Sequence, residues 1–440
     1  MTESGTQAAT ARSEAEVLAD ANRYLMNTYR RPPIVFAHGR GCRVYDTQGN
    51  AYLDFLGGIA VNALGYAHPR IVRVMRREAG RATHFSNLFH NAFQGPLAAK
   101  LAEWSGMDRC FFTNSGSEAV EGALKLARAA ARVANGDAAG KTRILALENS
   151  FHGRTLGALS LTHTEKYRAP FQPLVPGVEF VRLNDVADLE AKFDARVCAI
   201  VIEPTQGEGG IHGVSAAFWE RARALATQHG AALIADEIQC GLGRTGRYFA
   251  YQKFGGSEMW PDIVTVAKPL AAGLPLGAIL AREKFAAAFS PGLHGSTFGG
   301  GPFTCATALE FLSIVDEEGL LENVRARGEE IRAGAATLAR KFKLIREVRG
   351  EGLMIGVELD IDGAPIVEEA LRQGVIINCT HGRVLRLLPP FTVRAAQVKQ
   401  FLRKMKTILQ SVSERATEVS AKHSAAAPAT TTANEQIARS

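Results

Sequence analysis

Asp236 closes the apolar run Ala-Leu-Ile-Ala-Asp, and Lys268 closes a second, Ile-Val-Thr-Val-Ala-Lys, thirty-two residues later. A lysine amine can hold an aldehyde as a Schiff base, and an acid beside a pyridine nitrogen keeps such a ring protonated and electron-withdrawing. Both runs are short and β-rich, which places Asp236 and Lys268 at the carboxyl ends of parallel strands, where open α/β sheets take their ligands. On these two residues alone, a capping aspartate and a surface lysine is the commoner reading.

A third element is the stretch Cys110-Phe-Phe-Thr-Asn-Ser115-Gly116-Ser117-Glu-Ala: an apolar run, a turn of small residues, then an Ala/Leu-rich helical stretch through Arg132. Free N–H groups and the positive end of a helix make an anion cup there, and Gly116 lets a phosphate approach the main chain. Ser117 adds a hydroxyl or serves as the helix N-cap. With Asp236 and Lys268 the turn completes phosphate, ring and aldehyde contacts for pyridoxal phosphate (PLP).

The elements that must position these residues follow from the hydrophobic pattern. Between about 95 and 300, apolar strands at 143–147, 199–202, 233–236 and 263–267 alternate with helices, one of them amphipathic over 218–229 and stopped by Gly230. Such a βαβ series predicts an α/β fold with a mostly parallel central sheet covered on both faces. The segment 43–55 reads as a hairpin with a polar turn. After 305 come long charged helices and strand-like runs at 352–359 and 383–389, which predict a smaller α+β domain. The expected organisation is a disordered N-terminus over 1–20, an N-terminal segment over 21–60 packing with the small domain, a large domain over 61–304, a small domain over 305–412, and a disordered tail over 413–440. No internal repeat is visible.

Composition narrows the function classes. A chain of 440 residues exceeds one ordinary core, so two packed domains are expected. No apolar stretch is long enough to span a bilayer, and the polar N-terminus has no hydrophobic signal core, so neither a membrane nor a secretory route is expected. The six cysteines lie far apart with no C-x-x-C pair, which predicts reduced thiols in a cytosol and no metal site. The net charge of +7 is dispersed among acids without interleaved aromatics, so a nucleic-acid surface is not expected. Anionic substrates and a phosphate cofactor explain some excess of arginine.

Motifs spread over about residues 24–410 extend this reading: Gly57-Gly-Ile-Ala-Val-Asn-Ala-Leu-Gly, Asn114-Ser-Gly-Ser-Glu-Ala, Phe151-His-Gly-Arg-Thr, Glu203-Pro-Thr-Gln-Gly-Glu208, Asp236-Glu-Ile-Gln-Cys-Gly-Leu-Gly-Arg-Thr-Gly, Ala267-Lys-Pro, Thr297-Phe-Gly-Gly and Val384-Leu-Arg-Leu-Leu-Pro. In these the chain resembles the class III aminotransferases of the PLP-dependent transferase fold type I. The resemblance implies a homodimer with shared active sites. It makes Lys268 the Schiff-base lysine and proton carrier, and Asp236 the partner of the pyridinium nitrogen. Gly116 and Ser117 form the phosphate cup, Phe151 stacks on the ring face, Gln239 bonds the ring hydroxyl, and Ser115 and Ile238 also belong to the cofactor-binding set. Thr297 reaches the phosphate of the neighbouring subunit.

On the substrate side the resemblance implies Arg154 and Arg386 as carboxylate binders, Glu208 as the acid that masks Arg386, and Ser296, Tyr29 and Ile59 at the donor pocket. A planar guanidinium grips a carboxylate with two hydrogen bonds in fixed geometry. Ile59, His152 and the run Ile377-Asn-Cys-Thr are similar to the members that act on N2-acetyl-L-ornithine, with ornithine, GABA and succinyldiaminopimelate as alternative donors and an aminomutase of the same fold as a more distant one. Two departures, Gly301 for an asparagine and Ala271-Ala272 for glycines, touch the rim and no catalytic group.

Overall fold

The computed structural model describes residues 12–136 and 140–426. At its centre is a seven-stranded sheet in the order Arg109–Thr113, Gly277–Ala281, Ile263–Val266, Ala232–Asp236, Val197–Ile202, Arg143–Leu147 and Val178–Val181. All strands run parallel except Gly277–Ala281, which pairs antiparallel with both neighbours. Every residue of Val197–Ile202, Ala232–Asp236 and Ile263–Val266 is buried. Helices cover both faces of such strands, which is why they are written as unbroken apolar runs. The antiparallel strand enters through Gly277, where a Cβ would lie 2.5 Å from Thr113 Oγ1 and 2.7 Å from the Ser115 carbonyl.

The helix Gly116–Asn135 starts where the first strand ends. Its N-cap is Ser115, which has extended dihedrals and accepts the Glu118 N–H at 3.2 Å. Ser117 already lies in the first turn, so the capping role considered for it belongs to Ser115. The amphipathic helix Ala216–His229 ends at Gly230 in the left-handed region, φ 60°.

A meander of Phe36–Arg40, Arg43–Asp46 and Ala51–Asp54 is joined in parallel by Val375–Ile376, so the N-terminal segment shares a sheet with the C-terminal third. A second antiparallel sheet, Ile345–Glu351, Met354–Leu359, Val384–Leu387 and Asn378–Thr380, carries Arg386. The helices Leu320–Lys341 and Ala395–Ala426 pack together beside it.

Two expectations about the termini need correction. Residues 14–20 belong to the helix Glu14–Tyr24, which begins with a capping box in which Ser13 and Glu16 satisfy each other's N–H groups. The last helix continues past 413 to Ala426, and around that point Val412 is buried and Arg415 pairs with the buried Glu369 at 2.8 Å. The expected disorder of 1–11 and 427–440 falls outside the described residues. Among the described residues no helix is long and apolar enough to cross a membrane, and no group of three or more His, Cys, Asp or Glu could hold a metal ion.

Candidate active site

A cavity of about 340 Å³ opens at the carboxyl ends of the central strands, within the usual range for small-molecule sites. Ser115, Gly116, Ser117, Phe151, Asp236, Ile238, Gln239 and Lys268 all line it. They converge for a topological reason. The strand ending at Asp236 pairs in register with the next, Asp236 opposite Thr265, and the chain rises past Val266 to Lys268 beside the same opening.

Asp236 is 3% exposed, and both of its oxygens are engaged by the protein. Oδ1 accepts the Ile238 N–H and the Thr265 hydroxyl, each at 3.1 Å, and Oδ2 lies 2.6 Å from His152 Nδ1. Burial opposes protonation of His152, but the hydrogen bond and charge of Asp236 win, with Glu203 adding to them, and lift its pKa above the ordinary imidazole value. For Lys268 burial acts in the opposite sense to its acid neighbours: it pushes the ammonium below the usual lysine range against the pull of Glu208 and Asp236, and Arg386 adds to the depression. A depressed lysine offers the free amine needed for nucleophilic attack and proton transfer.

The open first turn of Gly116–Asn135 and the Ser117 hydroxyl, which accepts the Arg154 N–H at 3.3 Å, form a candidate anion cup. Gly116 matters for packing as well as for anion approach, since a Cβ there would lie 2.8 Å from Ile238 Cδ1. Arg386 is not among the lining residues but reaches one of them: it is 1% exposed, and its Nη1 donates to Glu208 at 2.6 Å and to Oε1 of the lining residue Gln239 at 3.1 Å. Its Nε donates to Asn378 at 3.2 Å. Arg154 presents the contrasting case: the residue is exposed, with no side-chain hydrogen bond or ion pair among the described residues, and its guanidinium lies 5.6 Å from the Phe151 ring centroid.

Other expected residues are not brought into this cavity by one chain. Tyr29 is 69% exposed and Thr297 is exposed. Ser296 accepts a hydrogen bond from the lining residue Asn114 at 3.2 Å. Ile59 is not a lining residue; it packs against a small apolar cluster with Ile211, Cys240 and Leu388, in a run from Gly57 to Ala60 where all four residues have positive φ. For a β-branched residue at φ 62° this is strained backbone, costing on the order of 1–3 kcal/mol.

Two residues of the site escaped the sequence reading of roles. His152 was singled out only as a marker of donor type. Glu203 holds the cavity wall, taking the Phe151 N–H at 2.9 Å and the Gly207 N–H at 3.0 Å. Burial, with the charge of Asp236, raises the Glu203 carboxyl to about 7, against His152 and those two N–H groups. The available signal was its position directly after the buried strand Val197–Ile202.

The profile of the aminotransferase class-III family matches residues 24–409. The chain belongs to the class-III aminotransferases. Among curated members, the acetylornithine aminotransferase of Caldanaerobacter subterraneus subsp. tengcongensis is 44% identical over 391 residues, 89% of this chain and 98% of that protein. The acetylornithine aminotransferase of Methanocaldococcus jannaschii is 42% identical over 89% of this chain and 97% of its own length. Among solved structures, the ornithine aminotransferase of Toxoplasma gondii ME49 superposes with a TM-score of 0.88 at 34% identity, covering 92% of this chain and 97% of that one. The acetylornithine aminotransferase of Elizabethkingia anophelis does so with a TM-score of 0.81 at 29% identity, over 91% and 100%.

PLP is the cofactor of this aminotransferase, and the class-III cavity fits it group by group. The first-turn N–H groups and Ser117 suit the phosphate, Phe151 offers a ring face, Asp236 the acid for the pyridine nitrogen, and Lys268 the amine. His152 Nδ1 lies 2.6 Å from Asp236 Oδ2, and His152 Nε2 is buried with no partner among the described residues.

Proposed function

We propose that this aminotransferase moves the terminal amino group of N2-acetyl-L-ornithine to 2-oxoglutarate, giving N-acetyl-L-glutamate 5-semialdehyde and L-glutamate, a step of arginine biosynthesis. The observation that carries the reading is the unequal state of the two arginines. Arg386 is masked by Glu208 at 2.6 Å, whereas Arg154 is open. A donor reacting through its side-chain amine needs one carboxylate site at a distance from the reacting nitrogen, which Arg154 supplies. A masked Arg386 then disfavours seating the α-carboxylate beside the reacting carbon. In the return half-reaction 2-oxoglutarate has two carboxylates, so Arg386 leaves Glu208 for the α-carboxylate while Arg154 takes the distal one.

PLP, when bound, supplies an electron sink for the negative charge that develops at the substrate carbon. Lys268 Nζ is the group placed to take and return the proton at the substrate carbon, and burial lowers its pKa, which favours the free amine that this task needs. Asp236 keeps the ring nitrogen cationic, and Gln239 with Glu208 sets the position of Arg386.

Steady-state rates with 2-oxoglutarate and a panel of amines test the donor. We expect kcat/KM for N2-acetylornithine to exceed that for ornithine and GABA by at least about tenfold, as a pocket differing in one recognised group can deliver. The likeness to the Toxoplasma ornithine aminotransferase favours ornithine as the second reading. A preference for ornithine or GABA would replace the acetylornithine assignment and leave the catalytic set intact. Succinyldiaminopimelate, also an acylated diamino acid, is expected to serve as a weaker donor, and turnover without 2-oxoglutarate would indicate an aminomutase.

The working form is a cytosolic homodimer, in keeping with six free thiols. Phe85, Leu88, Phe89, Leu293 and Phe298 are exposed apolar side chains on two loops that Asn87 ties together through the Ser296 and Gly299 carbonyls. A patch of this kind calls for a covering surface, and a second copy provides it while delivering Thr297 to the neighbouring phosphate cup. Mixing two inactive variants, Lys268→Ala and Thr297→Asp, is expected to restore activity, because one of the two sites in each mixed dimer then has both residues intact. If Thr297 acts in its own subunit, mixing restores nothing.

A further inference from the structure

The guanidinium of Arg154 lies over a second ring, that of Tyr167, at 3.7 Å from the centroid, closer than its 5.6 Å approach to Phe151. We propose that Tyr167 is the positioning residue for Arg154: it holds the guanidinium by one face so that the in-plane N–H donors stay free for a substrate carboxylate. The proposal rests on the reading of Arg154 as a carboxylate binder.

A solvent-exposed arginine without an anchor samples many rotamers, and fixing it on binding weakens the complex. Arg386 avoids that loss through its acid partner, Glu208, which must be displaced before Arg386 can bind substrate. An aromatic face is a different kind of anchor. It attracts the cation through the ring quadrupole and uses none of the five N–H donors, which all lie in the guanidinium plane. Arg154 therefore needs no partner exchange when substrate arrives. Its own backbone is fixed by the bond from its N–H to Ser117 Oγ, so backbone and guanidinium are both anchored beside the phosphate cup.

Tyr167 is itself held. It lies in the short helix Glu165–Arg168, and its N–H donates to the Thr164 carbonyl at 2.9 Å. The next residue, Arg168, lies over the Phe180 ring at 4.8 Å, and His163 meets the same ring edge-on at 5.0 Å. Phe180 belongs to the sheet strand Val178–Val181, so a chain of ring contacts runs from the central sheet through this helix to Arg154.

The test is a kinetic comparison of Tyr167→Ala, Tyr167→Phe and Arg154→Ala in the holoenzyme. Removing the ring is expected to raise KM for 2-oxoglutarate and for the amine donor roughly tenfold, the size of a partly desolvated cation–π contact. Tyr167→Ala should leave kcat within about twofold and the cofactor's visible absorbance unchanged, while Tyr167→Phe, which keeps the face, should restore KM. If Arg154→Ala raises KM and Tyr167→Ala does not, the positioning role is wrong. If Tyr167→Ala and Tyr167→Phe both lose cofactor and kcat at constant KM, Tyr167 is structural and the proposal also fails. An unchanged KM in Arg154→Ala would instead overturn the underlying carboxylate reading.

Discussion

Lys268→Ala is expected to lose turnover by at least about 10⁴-fold, the upper range for a positioned proton-transfer group, and to lose the visible absorbance of tethered PLP at the same time. No other amine among the residues lining the cavity can substitute, because Lys268 is the only lysine there. Stability should respond differently from activity. Burial depresses the folded-state pKa of Lys268, so in the apoprotein its stabilising contribution is present above the unfolded lysine value, about 10.4, and is lost as pH falls through the depressed folded value. The apo form of Lys268→Ala lacks that dependence. Thermal unfolding of both apoproteins across this alkaline window should show a rise with pH in the parent that is absent from the variant. A variant that keeps either turnover or absorbance would remove Lys268 from the mechanism.

Asp236 carries the second large effect. Asp236→Ala leaves the fully buried His152 beside an empty position and strips the Thr265 hydroxyl and Ile238 N–H of their acceptor. Breaking a buried ion pair by removing one partner costs about 3–5 kcal/mol of stability. Asp236→Asn keeps the shape and loses the charge, so it should fold while losing on the order of a hundredfold or more in kcat, equivalent to about 3 kcal/mol at the ring nitrogen. The sign of the pH effect follows from His152. Its folded pKa is raised, so the stability it contributes is fully present below the unfolded value near 6.5 and is lost as pH rises through the raised folded value. Removing Asp236 should abolish that slope in an unfolding-versus-pH series. An Asn variant with full kcat would show that the ring does not need this acid.

Much of the site was legible because its two central residues end buried parallel strands. Asp236 and Lys268 each follow a buried, mostly apolar run, broken before Lys268 only by Thr265, and the sheet geometry that buries those runs also brings their ends to one opening. The turn Ser115-Gly116-Ser117 reaches the same opening, with one difference of detail. Sequence could not tell which serine leaves the helical dihedrals first, and Ser115 rather than Ser117 caps the helix. Pairings between distant segments were less accessible. The His152–Asp236 contact joins positions 84 apart, and nothing in a histidine after Phe151 announces that its ring turns into the core. The residues at the molecule's edge, Thr297, Ser296 and Tyr29, could not be placed in a cavity by one chain, since their expected contacts involve a second copy or bound substrate. The termini were misread because small polar residues suggested disorder where a capping box at Ser13 and a pair between Arg415 and Glu369 secure helices instead.

Borohydride reduction of the purified protein in the presence of PLP, followed by peptide mapping, tests the whole account most directly. The expected result is a single covalent pyridoxyl adduct on the peptide containing Lys268, with loss of activity in proportion to labelling. Label on another lysine, or no label at saturating PLP, would contradict it.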